Sequence, residues 1–183
     1  MKTIFIGNTG ETPLGDIWVA VAEQGLLAVE FPSTLEAFSA MLGKRHAAGV
    51  IFSPQQTAEA THQLREYAAG RLRQFTLPID WSTLKEFQRN VLQLTFESPC
   101  GEVRTYKELA LQLGNPRAAL SHFYYARLLG ARAVGRAQAT NPMPIVIPCH
   151  RVVGSDQKLH GYGAGNGIPT KEWLLRMEKA IIP

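Results

Sequence analysis

The residues with the most reactive chemistry stand together late in the chain. Cys149, His150 and Arg151 follow directly on the apolar, proline-bounded run Pro144-Ile145-Val146-Ile147-Pro148. A thiol is a useful nucleophile only as thiolate, and a nearby imidazole, cations or backbone N–H groups favour that form. A Cys-His dipeptide places thiol and base within one turn. The same dipeptide also occurs as a small buried hydrophobe beside an unrelated histidine, and by itself it does not separate the two. Cys100 follows a proline in a turn and has no adjacent base, so it reads as structural. Two cysteines far apart make neither a zinc-type pair nor a disulfide framework. His46, His62, His122 and His160 lack ligand-like spacing. No metal and no organic cofactor is expected.

The elements that must position this motif read in two parts. In the first, Ile4-Phe5-Ile6, residues 17–22 and residues 26–31 are apolar runs split by Gly7-Asn8, Thr12-Pro13-Leu14-Gly15 and Gln24-Gly25. That pattern predicts a small antiparallel meander. Helices are expected over 35–43 and 53–70, the second with Leu64 and Tyr67 on one face and Gly70 as its stop. Residues 76–80 read as an extended linker. The expected parts are therefore 1–80 and 81–183, an α/β (α+β) chain whose second part is mainly helical. That part opens at Ser82 with an N-cap followed by Glu86, and Phe87, Val91, Leu92 and Leu94 form an apolar face. Residues 105–114 predict a short capped helix ending at Gly114. A second helix begins at Asn115-Pro116-Arg117-Ala118-Ala119, which outlines a helix-turn-helix. Ile145-Val146-Ile147 is expected to be a buried extended piece. The last helix is expected over 171–179, with Trp173, Leu174, Leu175 and Met177 on its apolar side.

Charge is divided unevenly along the 183 residues. Residues 1–84 sum to −2 and residues 85–183 to +6, for a net +4. A modest positive charge is often no more than a solubility feature. The asymmetry nonetheless directs any polyanion to the second part. No apolar run is long enough to cross a bilayer. The first residues lack the apolar core and small-residue cleavage site of a secretion signal. A reduced, cytoplasmic protein is expected.

The residues 141–154, Asn-Pro-Met-Pro-Ile-Val-Ile-Pro-Cys-His-Arg-Val-Val-Gly, closely resemble the active-site signature of the O6-alkylguanine-DNA alkyltransferases. Phe87-Gln88, Pro99-Cys100-Gly101, Thr105-Tyr106, Ala131-Arg132-Ala133-Val134-Gly135, Gly161-Tyr162 and Trp173-Leu174-Leu175 with Glu178 are similar to family positions in the same order. The resemblance implies a suicide DNA repair protein. It would move a methyl or larger alkyl group from O6-alkylguanine in duplex DNA, and by extension from O4-alkylthymine, onto its own cysteine, once per molecule. Cys149 would be the acceptor. His150 would take its proton through a water, and Glu178 would orient that histidine. Asn141 would brace the turn, and Tyr106 would support the leaving guanine. Tyr162, Gly163, Lys171 and Pro144 would line the base and alkyl pocket. The damaged nucleotide must be flipped out of the stack. Arg132 would fill the vacancy, with Arg117, Ala118, Ala119 and Arg151 also on the DNA face. The implied protein is a monomer.

Two stretches depart from the family pattern. Residues 120–131 read as an insertion within the second helix. A dozen residues turn a helix about 120° out of phase and lengthen it by about 18 Å. Arg117 and Arg132 then cannot both keep their family places on one straight helix, so a break is expected near Gly130. The loop over 163–170 reads as two residues long in excess. Two other readings follow from these departures. One is a thiol that accepts alkyl groups only from free guanine derivatives, its duplex binding lost to the insertion. The other is a non-enzymatic binder of alkylated DNA, which the presence of Cys149 argues against.

Overall fold

A computed structural model describes residues 3–114, 124–156 and 158–181. The chain divides into two compact units, Met1–Thr83 and Leu84–Pro183.

In the first unit the apolar runs form strands β1 (Thr3–Asn8), β2 (Trp18–Ala22) and β3 (Gly25–Glu30). β2 pairs antiparallel with both β1 and β3, as the turn-split runs predict. Helix α1 (Leu35–His46) is capped by Thr34, whose hydroxyl accepts from the Ala37 amide. It runs three residues beyond Gly43. It leads to a fourth strand, β4 (Gly49–Phe52), which pairs parallel with β1. The sheet order is β3-β2-β1-β4, so the sheet is mixed where an antiparallel one was expected. β4 is short, and Ile51 and Phe52 are exposed, so it lacks the buried alternation that marks a strand in sequence. Ile4, Ile6, Trp18, Ala20, Leu27, Phe38 and Leu42 pack into the core of this unit. Helix α2 (Ala58–Ala68) buries Leu64 and Tyr67, and Gly70 ends it with positive φ. Turns, not helix, occupy residues 54–57.

Residues 76–80 are not a free linker. The Leu26 amide donates to the Pro78 carbonyl and the Asp80 amide to the Leu26 carbonyl, at 2.8 and 2.9 Å. Asp80 is fully buried and accepts from the amide and hydroxyl of Ser82. Ser82 is therefore spent on Asp80. The next helix, α3 (Glu86–Phe96), begins after Lys85 with no side-chain cap, which corrects the expected capping at Ser82.

The second unit packs α3, α4 (Tyr106–Gln112) and α5 (Tyr124–Ala139) around Val91, Leu109, Ala110, Val134, Ala137 and Val152. Thr105 and Glu108 form a reciprocal capping box that starts α4. Two short strands, β5 (Arg104–Thr105) and β6 (Val152–Val153), pair in parallel. Helix α6 (Ile168–Met177) starts three residues earlier than expected and buries Leu174 and Leu175. Trp173 and Met177 are half-buried.

The break expected near Gly130 is absent: α5 is continuous from Tyr124 to Ala139. A glycine inside a helix costs only about 1 kcal/mol relative to alanine. Gly130, Val134, Ala137 and Gln138 are all buried, and a face repeated at that spacing holds a helix together through the glycine. Arg117, Ala118, Ala119, the start of the second helix and residues 120–123 lie outside the described residues.

Gly25 illustrates how tightly the first unit closes. Its φ is +124°, and an added Cβ would sit 2.3 Å from the Pro78 carbonyl oxygen. Gly25→Ala is expected to destabilise the protein by more than about 1 kcal/mol, read as a lower urea midpoint. An unchanged midpoint would show that the 76–80 segment moves aside at no cost.

Candidate active site

Asn141 organises the segment that carries the thiol. Its Oδ1 accepts from the Met143 amide at 3.0 Å, and its Nδ2 donates to the Ile147 carbonyl at 2.9 Å. The same Nδ2 lies 3.2 Å from Cys149 Sγ. Residues 143–147 are a buried turn and not the extended piece expected from their composition. The Ile147 amide returns to the Met143 carbonyl at 2.8 Å, and Ile145 adopts a left-handed φ of 74°. A β-branched residue in that region is strained, and burial of the isoleucine side chain holds it there. The chain then enters a single 3-10 turn, Cys149–Arg151, and pairs through β6 with β5. That pairing sets Thr105, and with it Tyr106 at the start of α4, beside the thiol.

Behind the thiol stands a buried ionic cluster. His150 Nε2 is 3.0 Å from Glu178 Oε1. Arg151 grips the same carboxylate with both ends of its fork, Nε to Oε2 at 2.9 Å and Nη2 to Oε1 at 2.6 Å. Arg151 also donates to the Ser98 carbonyl. The side chains of His150 and Glu178 are fully buried, and that of Arg151 nearly so. Glu178 follows the last residue of α6, where a helix dipole disfavours negative charge. Burial also opposes its ionisation, yet the hydrogen bonds from His150 and Arg151 prevail and hold its carboxyl well below the usual carboxylate range. The family resemblance implies a DNA-facing Arg151; the structure instead buries it against Glu178. A guanidinium buried to this degree and clamped on a carboxylate is not presented to a phosphate at the surface.

Burial pushes the Cys149 thiol up to about 11, against the lowering contributions of the Asn141 hydrogen bond and the Lys171 charge. Burial also lowers His150 below its ordinary 6.5, although Glu178 opposes that shift. The resting state at neutral pH is a thiol beside a neutral imidazole. With Nε2–H donated to Glu178, Nδ1 carries the lone pair that can take a proton.

Cys149 opens onto a cavity of about 370 Å³ whose walls include Tyr106, Gln138, Tyr162 and Gly163. Burial raises the Tyr106 hydroxyl above its ordinary value, with the neighbouring Cys149 adding to the shift. Tyr162 is raised well above, again mainly by burial. Both stay neutral and able to donate. Two pocket assignments need correction. Lys171 is fully buried, and its Nζ donates to the carbonyls of Val152 and Leu159. It ties together the two segments that flank the loop instead of lining the cavity. Burial lowers it to about 8. Pro144 is buried and bridged to Ile147, so it shapes the turn. Arg132 is exposed on α5, one turn before the exposed Arg136. Gln138 went unread in the sequence. The signal was there: an amide four residues after Val134, on an otherwise apolar helical face. Among the described residues, no group of three or more His, Cys, Asp or Glu is placed to hold a metal. No described helix is long and apolar enough to cross a membrane.

The chain is similar to known proteins along most of its length. Residues 5–81 match the family model "6-O-methylguanine DNA methyltransferase, ribonuclease-like domain", and residues 86–180 match "6-O-methylguanine DNA methyltransferase, DNA binding domain". The chain is 39% identical over 172 residues to a methylated-DNA–protein-cysteine methyltransferase of Methanosarcina barkeri, covering 92% of this chain and 94% of that one. It is 38% identical over 174 residues to the protein of the same name from Salmonella typhimurium, covering 93% and 94%. Among solved structures it is similar to Mycobacterium tuberculosis OGT in complex with DNA, with a TM-score of 0.72 and 32% identity, covering 97% of this chain and 92% of that one.

Glu178→Gln is expected to destabilise the protein by about 3–5 kcal/mol, because Arg151 would stay buried without its counter-charge. The folded carboxyl titrates below its ordinary 4.5, so its contribution is present above that pH and is lost as acid is added. Urea midpoints from pH 7 down to pH 3 should therefore fall steeply below about 4.5. The slope should be shallower in Glu178→Gln, and equal slopes would contradict the assignment.

Proposed function

The chain belongs to the 6-O-methylguanine DNA methyltransferase family, and from that premise we propose that Cys149 is its alkyl acceptor. The protein is a DNA repair methyltransferase that takes the alkyl group of O6-alkylguanine onto its own cysteine, and it binds DNA. The observation that carries the assignment to Cys149 is geometric. This thiol faces a base-sized cavity and is backed by a histidine held by a buried carboxylate.

In the proposed step, Cys149 Sγ attacks the alkyl carbon of a guanine flipped into the cavity. The S–C bond forms as the C–O6 bond breaks, and guanine leaves with the electron pair. The thiol proton passes to His150, through a water bridge in the mechanism that the family resemblance implies. Glu178 favours the imidazolium that results, and Arg151 keeps Glu178 ionised. The neutral Tyr106 hydroxyl donates a hydrogen bond to the departing purine. Asn141 holds Sγ in line and keeps the 143–147 turn closed. Tyr162 and Gly163 line the alkyl side. The thioether resists hydrolysis, which makes each molecule single-use. The exposed Arg132 enters the duplex in place of the flipped base, in the manner of a minor-groove wedge. Arg117, Ala118 and Ala119 are assigned to the same DNA face. A protein acting alone, as a monomer in the cytoplasm, is sufficient for this chemistry. The two alternatives, a thiol limited to free guanine derivatives and a non-enzymatic binder, are not favoured beside relatives of this kind.

Intact-protein mass after incubation with a duplex carrying one O6-methylguanine tests the acceptor. One methyl should be gained, and none in Cys149→Ser. A duplex-dependent gain in the serine variant would move the acceptor elsewhere. The pH profile tests the base. Because the folded His150 titrates below 6.5, the single-turnover rate should be level across neutral pH and drop only in acid, as the imidazole gains its proton. A rate that climbs steadily toward the thiol's value of about 11 would mean that free thiolate, not base catalysis, limits the reaction. Arg132→Ala should slow repair in duplex DNA while leaving reaction with free O6-benzylguanine unchanged. Equal loss on both substrates would place Arg132 outside the DNA interface.

A further inference from the structure

Gln88, of the Phe87-Gln88 pair, has no part in the chemistry above, yet its amide is committed to one residue of another helix. Its Nε2 donates to the Thr140 carbonyl at 3.0 Å and to the Thr140 hydroxyl at 2.9 Å. The polarity is fixed on both sides. Thr140 Oγ1 donates its single proton to the Arg136 carbonyl at 3.0 Å, so toward Gln88 it accepts. Of the two ends of an amide, the nitrogen end is the one that can serve two acceptors.

Thr140 is the first residue beyond α5, which ends at Ala139. The last carbonyls of a helix have no partner within it, and other donors must satisfy them. Here the Thr140 amide returns to the Arg136 carbonyl at 3.2 Å and the Asn141 amide to the Gln138 carbonyl at 3.1 Å. Gln88 continues the series at the Thr140 carbonyl. A second tie joins the same two helices. Thr95 Oγ1, which donates to the Val91 carbonyl at 2.9 Å, accepts from Gln138 Nε2 at 2.6 Å. Gly163 also closes on this helix end, where an added Cβ would sit 2.8 Å from the Ala139 carbonyl oxygen. The exit of α5 is therefore held by α3 and by the glycine-rich loop. The next residue is Asn141, whose Nδ2 lies 3.2 Å from Cys149 Sγ. We propose that Gln88 is a positioning residue for alkyl transfer: by clamping the exit of α5 onto α3 it keeps Asn141 against the sulfur of Cys149. This inference rests on the alkyl-transfer reading above and adds to it a residue outside the cavity. A small misplacement of a reacting group is enough to slow a reaction measurably. The Gln88–Thr140 tie lies at the surface, whereas Thr95 and Gln138 are buried, so Gln88 can be altered without emptying the core.

The test separates the chemical step from DNA binding. Single-turnover rates with a saturating O6-methylguanine duplex are read from intact-protein mass, and affinity for the duplex is measured by fluorescence anisotropy. Gln88→Met keeps the length and loses both donors. Its maximal rate should fall about three- to tenfold, with the dissociation constant for the duplex unchanged. The same fall should appear with free O6-benzylguanine, which needs no DNA contact. Thr140→Val removes one of the two acceptors and is combined with Gln88→Met. If the two residues act as one clamp, the double variant should lose less than the product of the two single losses. An unchanged maximal rate in Gln88→Met would overturn the proposal. So would a loss confined to the duplex, which would place Gln88 in the DNA interface, or a double variant whose losses simply multiply. A lack of adduct from either substrate in the unaltered protein would overturn the alkyl-transfer reading itself, and the inference with it.

Discussion

The buried carboxylate of Glu178 is the interaction on which the second unit depends. It is linked to His150 and Arg151, residues 28 and 27 positions away in sequence. It also meets the Gly101 amide at 3.5 Å, from a turn 77 positions away. Removing a charge of this kind from water is expensive unless opposite charge and hydrogen bonds surround it. The 3-10 turn, the end of α6 and the turn at Gly101 must therefore arrive together or not at all. One carboxylate thus joins stability and chemistry: the groups that keep it charged are those that hold the histidine behind the thiol.

The thiol itself is poised the opposite way from a resident thiolate. Many reactive cysteines sit in electropositive, partly open sites that depress their pKa. Here burial dominates, and the sulfur rests protonated at neutral pH. On the proposed reading of Cys149 as a single-use acceptor, a low resting nucleophilicity protects it from oxidants and stray electrophiles. On that reading, reactivity arises only when a substrate in the cavity and the neutral imidazole act on the sulfur together. Asn141 and Lys171 contribute differently. Asn141 touches the sulfur, whereas Lys171 secures the backbone at Val152 and Leu159 and adds its charge at longer range.

Much of this site was legible because its signal is local. The residues of the Asn141 to Gly154 segment adjoin in sequence, so their grouping survives any fold. The Thr105–Glu108 capping box and the β1–β3 meander also follow from neighbours within a few positions. Local composition misleads where another polar group or a packed face claims the same residues. Ser82 carries the composition of a helix cap, yet a buried Asp80 captures its hydroxyl. The Ile145-Val146-Ile147 run carries strand composition, yet Asn141 folds it into a turn. Gly130 reads as a breaker, yet the packed face of α5 carries the helix through it.

By itself, then, the amino-acid sequence determined the reactive trio, the reduced character of the chain, the concentration of positive charge in its second part and the elements with short-range punctuation. Tertiary structure alone decided where the long side chains point. Arg151 and Lys171 look in sequence like surface cations suited to DNA or a pocket. Both are buried, one by a carboxylate brought from the end of α6 and the other by two backbone carbonyls. The orientation of the Gln138 amide is likewise set by a hydroxyl 43 positions away. Spacing along a chain records which residues share a local face. It does not record which distant group will supply the counter-charge or the hydrogen bond, and for a buried polar side chain that partner decides its direction.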